Sequence, residues 1–103
     1  MKAWGLLPDG PREFTAPSIA RIRERCGVYV LCNEEGCVLA GCSKNLRMSL
    51  TRHLEQPSDC LKQHWPTSVE MRPCRAFEIE SRWASLLLTL ENRQMEPLCG
   101  SGS

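Results

Sequence analysis

Tyr29, His53 and Glu80 are the residues whose chemistry the rest of the sequence does not explain. Tyr29 is the only tyrosine in the 103-residue chain and sits inside an apolar run, GVYVLC. A tyrosine in a strand is ordinarily core, with its hydroxyl at a rim. Aimed into a cleft, the same phenol can orient or deprotonate a water. Glu80 falls one helical turn after Ala76 and ahead of Trp83 and Leu87, so it lies in or beside an apolar stripe. A carboxylate there needs a partner, a metal or a proton. The plainer alternative is a stripe-edge residue that reaches water or pairs with Arg75 or Arg82. The third cluster is SKNLRMSLTRH, which carries Lys44, Arg47, Arg52 and His53. The first N–H groups of a helix, with Ser43, Lys44, Asn45 and Arg47, would make a phosphate-binding surface. The alternative is a solvated basic face with His53 at its edge.

Positioning these groups requires an α+β fold. Residues 27–32 alternate as a strand, 33–36 form a polar turn, and 37–42 return as a second strand. Ser43 is placed to cap a helix whose stripe is Leu46, Leu50, His53 and Leu54, broken by Gln56-Pro57-Ser58. A second short helix starts at Ser58 or Asp59, and a short strand lies within 67–74. The longest helical pattern runs over 76–95. Residues 18–25 suit a short helix, 1–17 read as an irregular lead-in, and 99–103 as a flexible tail outside the 18–98 domain. The expected architecture is a small three-stranded antiparallel sheet flanked by helices, in the order strand, strand, helix, helix, strand, helix.

Composition narrows the function classes. Thirteen basic and 12 acidic residues give a net charge of +1, which alone predicts no polyanionic partner. The distribution says more: 44–52 holds three basic residues and no acid. No apolar run is long enough to span a membrane, and the N-terminus makes a poor signal peptide. Seven cysteines with no C-x-x-C pair fit neither a secreted disulfide framework nor the usual spacing of a zinc site. They read as buried thiols of a reduced, cytoplasmic or otherwise intracellular protein, with no zinc expected.

The ordered set of motifs resembles the GIY-YIG nuclease superfamily over roughly 19–98. Gly27-Val28-Tyr29 stands in the place of Gly-Ile-Tyr, and Leu39-Ala40-Gly41 in that of Tyr-Ile-Gly. Ser43, Asn45, Leu46 and His53 follow the helix signature, and Glu80 resembles the family's metal-binding glutamate. The resemblance implies an endonuclease that hydrolyses nucleic-acid phosphodiesters, DNA foremost, with Mg²⁺ or Mn²⁺ held at Glu80. Tyr29 would activate the water, His53 would contact phosphate or move a proton, and Arg52 would stand in for an arginine whose position is taken by Ser49. Leu39 replaces the second tyrosine, and a leucine offers no hydrogen bond. The sequence therefore supports two readings: a nuclease with impaired catalysis, or a degenerate module that binds nucleic acid or a protein without cutting. A further DNA-binding subunit is an implied partner.

Overall fold

The computed structural model describes residues 2–102; Met1 and Ser103, the ends of the expected lead-in and tail, lie outside it. The centre is a hairpin of β2 (Gly27–Asn33) and β3 (Gly36–Ser43). Asn33 builds the turn by accepting from the N–H groups of Glu35 (2.8 Å) and Gly36 (3.2 Å) through its side chain. β4 (Ser68–Pro73) pairs with the other edge of β2, with Tyr29 opposite Met71 and Val30 opposite Glu70. Gly27 permits that approach: a Cβ there would stand 2.5 Å from the Arg72 carbonyl and 2.9 Å from Leu46.

Alternation along β2 divides the core. Tyr29 and Leu31, with Val69 and Met71, face Ile19 of α1 (Ala16–Ala20), Leu46 and Leu50 of α2 (Leu46–Glu55) and Leu61 of α3 (Asp59–Gln63). Val28, Val30 and Cys32 face the other way, onto Leu86 and Leu90 of α4 (Ile79–Asn92). A 3₁₀ turn over Ala76–Glu78 leads into α4.

The class is α+β, with a small antiparallel sheet flanked by helices. Two more strands extend it, however, giving the order β1-β4-β2-β3-β5. β1 (Asp9–Glu13) pairs antiparallel with β4, and β5 (Ser101–Gly102) pairs parallel with β3. Both come from segments read as lead-in and tail, because backbone pairing holds them and apolar alternation does not. Among the described residues no helix is long and apolar enough to cross a membrane.

Three local expectations are corrected. The cap of α2 is Asn45, whose side chain accepts from the Met48 N–H at 3.1 Å; Ser43 still belongs to β3. α1 starts earlier than the expected 18–25 helix and ends at Ala20, leaving 21–25 outside it, with Pro17 in its first turn, where a missing N–H costs nothing. The cysteines are not all thiols: Cys60 and Cys99 are bonded to each other, while Cys26, Cys32, Cys37, Cys42 and Cys74 are free. The bond fixes the chain end beside β3, where Cys99 N–H donates to the Val38 carbonyl at 2.7 Å.

The lead-in also covers the sheet, through a buried acid. Glu70, 1% exposed, accepts four backbone N–H groups. Its Oε2 takes those of Trp4 (2.8 Å) and Gly5 (3.2 Å), and its Oε1 those of Leu6 (2.6 Å) and Leu7 (3.1 Å). Arg93 completes the arrangement from α4's end by donating to the carbonyls of Trp4 (2.6 Å) and Gly5 (3.0 Å). Carboxylate and guanidinium thus oppose each other across peptide units, which pass the charge on as aligned dipoles.

Candidate functional site

Beside α2, Tyr29 and His53 meet across β2 and the helix. The tyrosine hydroxyl lies 2.8 Å from His53 Nε2, with the rings tilted and their centroids 5.8 Å apart. Burial pushes the phenol pKa up to about 12, with a smaller push from Cys42 and an opposing pull from Arg52. Burial, then the Arg52 charge, lowers that of His53. Both groups are therefore neutral at pH 7. With the imidazole proton on Nδ1, the phenol donates to Nε2. In this state the phenol serves as a hydrogen-bond donor to the imidazole.

The pair opens onto a groove of about 270 Å³, with Arg52, Ser49 and Leu39 on its walls and Cys99 to Ser101 closing one side. Arg52 is exposed at the mouth. Ser49 Oγ and Ser43 Oγ share a 2.5 Å hydrogen bond. Leu39 adds an apolar wall. A wider cleft of about 500 Å³ lies between α1 and α2, but there Glu24 and Glu55 offset Arg47 and Arg52.

The sequence-predicted residues divide into three sets. Tyr29, His53 and Arg52 come together, and Ser49 joins them. The expected phosphate group of Ser43, Lys44, Asn45 and Arg47 is largely committed elsewhere. Ser43 Oγ accepts from Asn45 N–H at 2.9 Å, Asn45 caps the helix, and Arg47 is paired with Glu24 at 2.9 Å. The helix start has little to offer, since Leu46 N–H already donates to the Arg25 carbonyl at 2.8 Å. Lys44 is exposed. Glu80 stands apart. It is exposed in the first turn of α4, which packs on the face of the sheet opposite Tyr29. The expected meeting of Glu80 and Tyr29 in one cleft is not found.

A divalent metal is tested by its ligands. Glu80 lies outside the groove, and among the described residues no group of three or more His, Cys, Asp or Glu side chains could hold a metal ion. The groove presents imidazole, phenol, hydroxyl and guanidinium, whereas Mg²⁺ and Mn²⁺ favour carboxylate and other oxygen ligands. The residues present do not fit such a metal at the groove.

Two features escaped the sequence reading. The closing wall at 99–101 falls in the segment read as a flexible tail, and Glu70 is not singled out within the strand expected over 67–74. Compared with known proteins, the chain matches no family model, and no curated protein or solved structure is significantly similar to it.

Proposed function

We propose that the chain is a nucleic-acid-binding module of GIY-YIG-like architecture, whose Tyr29–His53 groove receives a DNA phosphodiester without cutting it. One observation carries this reading: the neutral phenol–imidazole pair shares a groove with Arg52 and Ser49, while Glu80 belongs to a helix on the other face of the sheet. Arg52 supplies the positive charge. The Ser49 hydroxyl and the imidazole supply hydrogen bonds to phosphate oxygens, and Tyr29 holds the imidazole ring in place. A metal-dependent hydrolase would need a carboxylate to hold a cation at the leaving oxygen, and Glu80, the residue expected in that role, lies outside the groove. The five free thiols fit a reducing, intracellular compartment. There, the Cys60–Cys99 pair is the one whose state would change.

The test uses plasmid and a short labelled duplex, with and without Mn²⁺. The protein should bind the duplex, release it as salt rises, and leave the plasmid intact. Arg52→Gln should weaken binding about fivefold, one phosphate contact's worth. Mn²⁺-dependent nicking that disappears in Glu80→Ala would overturn the non-cleaving reading. Failure to bind duplex or single strand at low salt would point instead to a protein-interaction domain.

A further inference from the structure

Away from the Tyr29 groove, a third cavity of about 250 Å³ is rimmed by Arg12, Arg21, Arg23 and Arg25. Its one acid is Asp9, which is already engaged: Arg12 donates to Asp9 Oδ1 through Nη2 at 3.1 Å and Nε at 3.3 Å. Among the described residues no ion pair involves Arg21, Arg23 or Arg25. Their backbone is nevertheless fixed. Arg21 N–H donates to the Ser18 carbonyl at 3.2 Å, Ile22 is buried in the core, and the Arg25 carbonyl accepts from Leu46 N–H at 2.8 Å. The floor includes Leu46 and Met71, both buried.

We infer that this cavity is a binding site for a phosphomonoester. Like charges gathered on a fixed backbone repel each other until an anion joins them, and an apolar floor strengthens the attraction by lowering the local dielectric. Guanidinium forks match phosphate oxygens two at a time. Several of them around one cavity suit the three terminal oxygens and double charge of a monoester better than the single charge of a diester. Arg12, braced by Asp9, fixes one wall, and Arg21 and Arg25 face the anion from the segment between α1 and β2. The ester has two sources, a free phosphate compound or the 5′-phosphate end of a nucleic acid; the second rests on the reading proposed above, and the first does not.

The experiment uses the full chain and follows arginine Nε–H signals by NMR during titration with inorganic phosphate. It is paired with anisotropy on one short single-stranded oligonucleotide, made with a 5′-phosphate and with a 5′-hydroxyl. Phosphate should move the Arg21 and Arg25 signals. The phosphorylated strand should bind about tenfold tighter, one strong charge-assisted contact. The R21Q/R25Q double variant should abolish that gap, whereas R52Q should weaken both strands alike. Both substituted arginines are exposed, so the fold is not at risk. Signals that respond to phosphate without any gap between the strands support the site and assign it to free phosphate esters. Responding signals with no strand bound overturn the nucleic-acid reading and leave the cavity's assignment standing. Arg21 and Arg25 signals unmoved by phosphate at tens of millimolar overturn the inference.

Discussion

Glu70→Gln is the substitution whose cost can be worked most closely. The carboxylate is 1% exposed and accepts two N–H groups at each oxygen. Glutamine keeps one acceptor oxygen and turns an amide NH₂ toward two of the donors. A charge-assisted hydrogen bond nets roughly 1.5–3 kcal/mol, so losing two costs about 3–6 kcal/mol. Some of that returns because a neutral amide is cheaper to bury than a charge. The expected net loss is about 3 kcal/mol, set against a domain stability of roughly 5–15 kcal/mol. At about 4–8 °C per kcal/mol, the melting point should fall by about 12–24 °C. Urea unfolding followed by circular dichroism measures the difference directly. Amide exchange adds a local readout: Leu6, whose N–H donates at 2.6 Å, should be protected in the parent and lose that protection in the variant. A stability loss under about 1 kcal/mol, with Leu6 still protected, would show that the four N–H groups do not depend on the carboxylate, and the reasoning would fail.

The lowered pKa of His53 means that the unfolded chain binds more protons just below the ordinary histidine value of about 6.5. Stability should therefore fall as pH drops from there through the folded-state value, and His53→Gln should flatten the curve. Because the Arg52 charge is the second cause of that lowering, Arg52→Gln should raise the His53 pKa in an NMR titration; a fall would contradict the geometry. Tyr29→Phe leaves His53 Nε2 without its 2.8 Å partner and should cost about 1 kcal/mol in urea unfolding. A thiol assay in denaturant should count five free cysteines before reduction and seven after it. With 39 positions between the bonded cysteines, the chain-entropy relation puts the stability lost on reduction at about 4 kcal/mol, read as a lower urea midpoint. An oxidised sample with seven titrating thiols would refute the bond.

The hairpin was legible because two local signals agree: alternation in GVYVLC and a turn-forming Asn33 ahead of Gly36. Alternation also separates Tyr29 and Leu31 from Val28 and Val30, but which helix covers which face is seen only in the structure. Glu80 shows where periodicity stops informing. Its apolar neighbours one and two turns on, Ala84 and Leu87, are themselves exposed, so the packed face is narrower than the apolar residues of the helix suggest. α4 buries Leu86 and Leu90 against the sheet, Ile79 and Trp83 are half-buried on the same side, and Glu80 falls on the side left to solvent. Glu70 and the Cys60–Cys99 bond were illegible for another reason. Each depends on a partner far along the chain, 64 positions from Leu6 to Glu70 and 39 between the cysteines. No local pattern of residue types encodes such a pairing. The Ser43 cap missed by two residues because Ser and Asn both satisfy a helix start, and only the length of β3 decides between them.

The strict alternation of β2 makes the sheet a party wall. Neighbouring residues along one strand serve two rooms: Tyr29 and Leu31 furnish one, Val28 and Val30 the other. Alterations to the outer turns of α4, where Leu87 and Leu88 already face water, are felt next door only through backbone that is hydrogen-bonded to strands on both sides. One side of this small molecule can be rebuilt while the furniture of the other stays where it is.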